Sequence, residues 1–179
     1  HSGTVIDFIS RHSGHLRVMN SGAMLTLDFP ADKPAPVELS AELTSCFNII
    51  PESAYRGKTD YMLVFSSEKD IISIVPDLNK INCIDCRGII ITAPGTGSDF
   101  VSRFFGPQSG VDEDPVTGSA HTTLTPYWSE RLNKKELSAV QLSARRGVLK
   151  CRDLEHRIEI SGTCSLYMTG YLFPENFRK

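Results

Sequence analysis

The sequence lacks the features of a membrane protein or a nucleic-acid-binding protein. No apolar run approaches the roughly 18 residues that a membrane-spanning helix needs. The 19 Lys and Arg residues are interspersed with 21 Asp and Glu residues, so no basic surface is indicated. The first residues, His1 to Thr4, show neither the basic nor the apolar region of a secretory signal. We therefore predict a cytoplasmic protein that binds neither membrane nor nucleic acid.

Cysteine is scarce, and its pattern completes no metal site. The chain has five cysteines, an odd number that indicates reduced thiols in a cytoplasm. Cys83 and Cys86 form a Cys-x-x-Cys pair, which could be half of a zinc site or a redox pair. No second such pair and no nearby pair of histidines completes the site, and a strand-like apolar run follows. We interpret the pair as structural and predict no metal.

The composition is that of an ordinary globular domain, and most of the chain alternates like strands. With 179 residues, 40% of them hydrophobic and 22% charged, the chain is long enough for one domain with its own core. Phe104, Phe105 and Trp128 are expected in that core. Gly95 to Ser98 is predicted to be a hairpin turn rather than a nucleotide loop. Alternation and bounding turns predict strands at residues 4–9, 16–19, 23–29, 61–65, 88–93, 99–105, 139–144, 148–152, 157–160 and 165–173.

Two longer segments have apolar residues at helical spacing. Val37 to Phe47 repeats an apolar residue every four positions, and Ser119 to Leu132 does the same. Pro126 is expected to kink the second helix or confine it to its later turns, and Asn133 can close it. Ser66 to Asp70 offers an N-cap for a further short helix. The order of strands and helices predicts an α+β fold in which a sheet wraps a helix.

The segment from Val111 to His121 has the composition of a ligand site. It places three carboxylates and a proline before a Thr-Gly-Ser sequence that leads into the predicted helix. The first N–H groups of a helix lack internal partners, and with the helix dipole they attract carboxylates or phosphates. Gly118 would let a ligand approach the backbone, and Thr117 and Ser119 add hydroxyl groups. An acid beside such a site, here Asp114, can move a proton on the bound anion.

The same residues also have a purely structural interpretation, which the sequence leaves open. Asp112, Glu113 and Asp114 could be favourable charges at a helix start, and Ser119 could be its cap. His121 could be an acid–base group or a proton relay, although a histidine at such a position more often packs within the domain.

The string GVDEDPVTGSAH resembles the signature of the phenazine-biosynthesis (PhzF-like) isomerase family. The similarity continues through residues 100–107 before the motif and 126–143 after it, and residues 11–18 resemble the strand pair that joins the family's two lobes. The resemblance implies a fold like diaminopimelate epimerase, in which two similar lobes each wrap a curved mixed or antiparallel sheet around a central helix, with the active site between them. It makes residues 1–20 connecting strands from an N-terminal lobe and residues 21–179 the C-terminal lobe.

The resemblance also implies a reaction. Members of the family isomerise a small amino or hydroxy acid: a glutamate removes a proton and the double-bond system shifts, without a metal or an organic cofactor. On this basis Asp114 contacts the substrate or assists proton transfer, and Thr117, Gly118, Ser119 and His121 form the substrate site, with the carboxylate on Gly118 and Ser119. The epimerase relatives carry a catalytic cysteine in the corresponding segment, so cysteine-based racemisation is not indicated here.

The residues of the family's first lobe are missing from this sequence. The glutamate base belongs to an Asn-x-Ser-Glu-type segment and another contact to a Cys-Gly-His-type segment, and neither occurs here. The chain could be part of a longer protein, the first lobe could dock as a separate chain, or this lobe could have lost catalysis. We favour the first two explanations and predict that the chain alone is inactive.

A second departure concerns the turn at residues 143–149. Arg146 stands where the family usually has a glycine, and an arginine does not easily adopt a positive φ, so the turn is expected to differ. Arg145 and Arg146 could bind a substrate anion. Solvated surface arginines are the simpler interpretation.

Two hypotheses of different classes follow. In the first, the chain is an isomerase lobe that acts on a small carboxylate substrate once an N-terminal lobe joins it in cis or in trans. In the alternative, it is a non-catalytic protein-interaction domain with the same fold. The isomerase hypothesis requires that Asp114 and the amides of Gly118 and Ser119 face an open concave surface. If side chains of the domain fill that surface, the interaction-domain hypothesis is favoured. A lobe without its partner would also expose an apolar interface, so a homodimer is a further candidate assembly.

Overall fold

The computed structural model describes residues 5–11, 13–171 and 173. The predicted segments that include Thr4, His12 and Leu172 therefore extend beyond the described residues, as do the ends of both predicted lobe segments, residues 1–4 and 174–179. The strands in chain order are β1 (Val5–Ser10), β2 (Gly14–Asn20), β3 (Leu25–Pro30), β4 (Ala35–Val37), β5 (Ser53–Arg56), β6 (Asp60–Val64), β7 (Gly88–Pro94), β8 (Phe100–Phe105), β9 (Glu136–Gln141), β10 (Gly147–Asp153) and β11 (Arg157–Gly162).

These eleven strands form one mixed sheet. Their spatial order is β1-β2-β3-β11-β10-β9-β8-β7-β6-β5-β4. The pairs β6–β7 and β8–β9 are parallel, and the other neighbouring pairs are antiparallel. The hairpin of β1 and β2 lies at one edge of the sheet, so these two strands belong to the same sheet as the other nine. The α+β class predicted from the sequence is confirmed.

Within the described residues, four α-helices and one 3-10 turn accompany the sheet. They are α1 (Ala41–Ser45), α2 (Glu68–Ser73), α3 (Leu78–Cys83), the turn Pro107–Ser109 and α4 (Gly118–Leu132). None of these helices combines the length and the hydropathy that crossing a bilayer takes. The N-cap predicted for α2 is confirmed: Ser67 caps it, and the Asp70 side chain completes a capping box.

The core lies on both faces of the central strands. In β7, Ile89 and Ile91 point to a cluster that contains side chains of α1, α2 and α3, whereas Ile90 points to a cluster built on α4. This division follows from the alternation of side chains along a strand, and it explains why the consecutive residues 89–91 are all isoleucine. The core positions predicted for Phe104, Phe105 and Trp128 are confirmed, with all three buried. The sheet thus wraps around α4.

Helix α4 is continuous although Pro126 lies inside it. Proline has no N–H group, so the carbonyl of Thr122, four residues earlier, lacks its helical donor. The backbone N–H of Asp32 donates to that carbonyl instead, at 3.1 Å. The expectation that Pro126 would confine the helix to its later turns was therefore wrong, because a neighbouring segment supplies the missing donor. Asn133 closes the helix in the left-handed conformation, as predicted.

Three further predictions of secondary structure were wrong or displaced. The helix predicted at residues 37–47 begins only at Ala41, because Pro36 lies in the extended strand β4 and Ser40 is the N-cap. The strand predicted at 165–173 is absent from its described residues, whose backbone pairs with no other strand. Alternating apolar residues cannot make a strand without a neighbour to bond. The strand predicted at 139–144 lies earlier, at β9, and β4, β5 and α3 were not predicted.

A row of charges in register crosses the face of the sheet opposite α4. Arg17 and Asp7 form an ion pair at 2.8 Å, and Arg152 and Glu159 form one at 3.5 Å. Exposed pairs contribute little stability individually. A slip of one residue would turn the charges of a strand to the apolar face, so the row specifies the register. Its members, each directly opposite the next across six strands, are Glu136, Arg152, Glu159, Asp28, Arg17 and Asp7.

Candidate active site

The loop that leads into α4 is fixed by side chains of β9 and by the end of β8. The backbone N–H of Asp114 donates to the Phe104 carbonyl at 3.1 Å. Gln141 donates to the Asp114 carbonyl at 2.7 Å and accepts from the Thr117 N–H at 2.8 Å. Two residues farther, the Ser143 hydroxyl donates to the Pro115 carbonyl at 2.7 Å. The backbone of the motif is therefore held from several sides.

The Asp114 carboxylate lies at the open start of α4. The Thr117 hydroxyl donates to its Oδ2 at 2.6 Å, and both Asp114 and Ser119 are partly exposed. Thr117 is the N-cap residue, yet its side chain makes no capping hydrogen bond, and the first turn of α4 contains no acidic residue. The structural alternative in which Ser119 caps the helix is not what is observed. The first N–H groups of α4 remain available for an anion.

The other two acids of the motif do not belong to this site. Glu113 forms an ion pair with Arg103 at 2.7 Å, and Arg103 also donates to the carbonyls of Ile71 and Ile74. Glu113 therefore ties the loop to the end of α2. Asp112 is exposed, and its side chain makes no hydrogen bond with the described residues.

An ion pair that was not predicted borders the site. Arg87, which precedes β7, donates from Nε to Oδ1 of Asp60 at 2.8 Å and from Nη1 to the hydroxyl of Ser119 at 2.8 Å. Its Nη2 also donates to Oδ2 of Asp60. The hydrogen bond to Asp60 raises the pKa of Arg87, and the charges of Asp32 and Asp114 raise it further. The start of α4 therefore has a guanidinium beside it whose charge is paired with that of the buried Asp60.

His121 lies behind the first turn of α4 rather than on its open side. Its side chain is completely buried, and Nδ1 lies 2.8 Å from the Thr117 carbonyl. Since a carbonyl only accepts, Nδ1 carries the proton and Nε2 does not. Burial lowers the pKa of His121 from its ordinary 6.5 to about 4, so the ring is neutral near pH 7. Its part in substrate binding stays a prediction.

The buried His121 is expected to make the protein less stable in mild acid. The unfolded chain binds a proton near pH 6.5, whereas the folded chain does so only near pH 4. The free energy of unfolding should therefore fall between these values, by about 3.5 kcal/mol at most, because a tenfold difference in proton affinity corresponds to about 1.4 kcal/mol. Urea unfolding at several pH values measures this.

The variant H121N provides the test of this pH dependence, because its side-chain amide can still donate to Thr117 while no longer titrating. Its stability should be nearly constant between pH 6.5 and 4.5. The control H156N changes an exposed histidine and should keep the wild-type slope. An unchanged slope in H121N would assign the acid sensitivity to other groups.

The backbone conformation of Arg146, in the turn after Ser143, is not the one that was expected. Arg146 adopts φ +59°, the left-handed conformation that an arginine was predicted to avoid. Its N–H donates to the Ser143 carbonyl at 3.0 Å, and its side chain is exposed. The next residue, Gly147, lets the turn pack closely against Val116, because a Cβ at position 147 would lie 2.3 Å from Cγ2 of Val116. Arg145 is likewise exposed.

The Cys-x-x-Cys pair makes no hydrogen bond with the residues of the motif, although Cys86 directly precedes Arg87. Cys83 is the last residue of α3, and Cys86 precedes β7. Both thiols are free. No group of three or more potential metal ligands occurs in the part of the chain that the structure describes.

Sequence reasoning identified the loop but missed the residues that hold it. The motif itself indicated Asp114, Thr117, Gly118 and Ser119, and the structure brings these four together. Gln141, Asp60 and Arg87 come from three different strands or their ends, and nothing in their local sequence marks them. Gln141 lay in a segment that resembled the family, which was the only available signal.

Comparisons with known proteins agree with this geometry. Residues 17–170 match the model of the PhzC-PhzF family, Phenazine biosynthesis-like protein. An uncharacterised isomerase of Pseudomonas aeruginosa is 45% identical over 168 residues, which cover 94% of this chain and 64% of the relative. The chain thus spans somewhat less than two thirds of that relative's length.

Solved structures show the same fold. The crystal structure of a PhzF-family phenazine biosynthesis protein from Enterococcus faecalis superposes with a TM-score of 0.87 at 37% identity, covering 96% of this chain and 66% of that one. A predicted epimerase from Pseudomonas aeruginosa, only 13% identical, reaches a TM-score of 0.61 over 91% of this chain and 65% of its own, which shows the fold alone. The epimerase-like fold implied by the family resemblance is confirmed. The chain belongs to the PhzF-like family of phenazine biosynthesis-like proteins.

Proposed function

We propose that this chain supplies the C-terminal half of the active site of a cofactor-independent isomerase, which transfers a proton on a small substrate that bears a carboxylate. One observation carries the proposal: the Asp114 carboxylate is fixed by Thr117 beside a helix start that no side chain caps. Family membership and the isomerase name of the Pseudomonas aeruginosa relative support the reaction class.

The proposed chemistry divides the work between the helix start and Asp114. The substrate carboxylate would accept hydrogen bonds from the N–H groups of Gly118 and Ser119, aided by the helix dipole. The negative charge that develops when the substrate loses a proton would be stabilised by the same fixed donors. Asp114, whose Oδ1 accepts no hydrogen bond from the described residues, would contact the substrate and assist the proton transfer. The glutamate base would come from the N-terminal lobe.

An apolar strip beside the site supports the presence of such a lobe. On the face that α4 covers only in part, Ile6, Val18 and Leu27 are directly opposite one another across β1, β2 and β3, and Leu27 contacts the core. Phe8, on the same face of β1, is 49% exposed. Cδ1 of Leu27 lies 3.4 Å from the position of a Cβ on Gly118, so the strip borders the helix start. We propose that the N-terminal lobe, in cis or in trans, covers this strip.

The proposal predicts that catalysis appears only when both lobes are present. The chain would be compared alone and fused behind the part of the Pseudomonas aeruginosa relative that it does not match. Small amino and hydroxy acids would be incubated in D2O, and NMR would follow deuterium entering at carbons near the carboxylate. We expect exchange with the fused protein and none with the chain alone, because the second acid–base group is missing.

The same experiment separates the competing hypotheses. Deuterium exchange by the chain alone would contradict the proposal that the chain supplies only half of the active site. Size-exclusion chromatography would then show whether two copies of the chain form a complete site as a homodimer. A folded fusion that exchanges none of the acids would contradict the isomerase and favour the interaction domain.

A further inference from the structure

Arg87 joins a buried acid to the open start of α4. Asp60 is 1% exposed and accepts two hydrogen bonds from the guanidinium, whereas the Arg87 side chain is 36% exposed. The third hydrogen bond of the guanidinium is donated by Nη1 of Arg87 to the hydroxyl of Ser119. The buried acid thus fixes the guanidinium from behind, while part of the group faces solvent beside the helix start.

This contact determines how Ser119 can bind a ligand. Because its oxygen accepts from Arg87, its own proton must point elsewhere, and no described residue accepts it. The backbone carbonyl of Ser119 accepts from the Thr122 hydroxyl at 2.7 Å, which holds the residue at its other end. The Ser119 hydroxyl is therefore a donor without an acceptor, and an anionic oxygen at the start of α4 is a suitable partner.

The guanidinium also keeps donors of its own. Of its five N–H groups, three are used for Asp60 and Ser119, so two remain. A planar guanidinium matches the two oxygens of a carboxylate better than it matches a neutral amide. Its ring neighbour, Phe104, lies 5.4 Å away and shields one of its faces. The arrangement favours a ligand that brings a negative charge.

We infer that Arg87, held by Asp60, positions the Ser119 hydroxyl and supplies the guanidinium donors that select a carboxylate at the start of α4. This inference rests on the proposed function, which places the substrate carboxylate on Gly118 and Ser119, and adds the residue that distinguishes a carboxylate from a neutral group. Asp60 acts through Arg87 by holding its orientation.

The test compares an anion with a neutral molecule of the same shape. Benzoate and benzamide would be titrated into the 15N-labelled chain, and the amide resonances of Gly118 and Ser119 would be followed by NMR. The single variant R87A would leave the buried charge of Asp60 unpaired and could unfold the chain. The variant D60N/R87Q removes both charges together, and R87K keeps the positive charge. The control K150Q removes an exposed lysine on the far face of the sheet.

We expect benzoate to bind the wild-type chain and K150Q with equal affinity and benzamide to bind far more weakly. In D60N/R87Q the affinity for benzoate should fall by about tenfold or more, the loss typical of a charge-assisted hydrogen bond, while that for benzamide should not change. R87K should retain part of the preference for benzoate.

Three outcomes would overturn the inference. Equal loss of both ligands in D60N/R87Q would indicate a structural role alone. An unchanged affinity for benzoate in this variant would exclude Arg87 while leaving the carboxylate site and the proposed function intact. If benzoate shifts neither amide in the wild-type chain, the carboxylate site itself fails, and the role of Arg87 fails with it.

Discussion

Replacing Asp114 by Asn is expected to lower the turnover of the two-lobed protein by about 10²- to 10⁴-fold, the usual contribution of a positioned acid or base. The asparagine oxygen can still accept from the Thr117 hydroxyl, and the backbone contacts with Phe104 and Gln141 do not involve the side chain. The loop should therefore keep its conformation while losing the group that exchanges a proton. Deuterium incorporation by the fused protein measures the effect.

The loop itself provides the matched control. Asp112 lies two residues earlier, is exposed and makes no side-chain hydrogen bond with described residues, so D112N removes the same charge from the same loop. We expect D112N to exchange deuterium at nearly the wild-type rate. Rates near that of the wild type in both D112N and D114N, with both proteins folded, would mean that Asp114 takes no part in the proton transfer. A loss of rate in both would indicate that the charge of the loop matters, whichever residue carries it.

Truncating Trp128 to Ala is expected to lower the free energy of unfolding by about 3 to 5 kcal/mol, as is typical for a fully buried large side chain. The indole is 0% exposed, and its ring stacks on Phe100 at 5.8 Å between centroids. Its Nε1 donates to the Thr92 hydroxyl at 3.0 Å, which in turn donates to the Val101 carbonyl at 2.7 Å. W128A would leave a cavity between α4 and the sheet and remove this donor. Urea unfolding at pH 7 measures the change.

Two comparisons separate packing from hydrogen bonding at Trp128. W128F keeps a ring against Phe100 but loses the N–H donor, and should cost less than W128A. Leu132 lies one turn farther along α4 and is 41% exposed, so L132A should cost under about 1 kcal/mol. If W128A proved as mild as L132A, the cluster on α4 would not be the part of the core that stabilises the fold.

The parts of the fold that could be predicted are those governed by neighbouring residues. Ser67 and Asp70 stand three residues apart, so their capping box is visible in the sequence. The apolar run of β7 and the left-handed closure at Asn133 are equally local. The errors arose where a residue far away in the sequence determines the local secondary structure. The helix α4 tolerates Pro126 because Asp32 supplies a donor, and residues 165–171 have no strand beside them.

The candidate site shows the same division between local and distant information. The motif indicated Asp114 and the helix start, because acid, glycine and hydroxyl residues stand together in the chain. Gln141 meets Thr117 from 24 residues away, and Arg87 meets Asp60 from 27 residues away. Periodicity carries no information about such pairs. An aspartate at the start of a strand and an arginine before a glycine look like ordinary turn residues until the strands are arranged.

Asp32 donates the hydrogen bond that Pro126 cannot supply to α4, and this contact also affects how the helix would bind a ligand. The same Asp32 whose N–H completes the helix also accepts, through its carboxylate, from the Lys58 N–H and from the hydroxyl of Thr123. One residue thus ties α4 to the β3–β4 connection and to the turn before β6. Two of these hydrogen bonds join Asp32 to α4, at Thr122 and Thr123, so the helix cannot slide along its length without breaking both. A ligand at its first turn would find donors already in place, so little conformational entropy would be lost on binding.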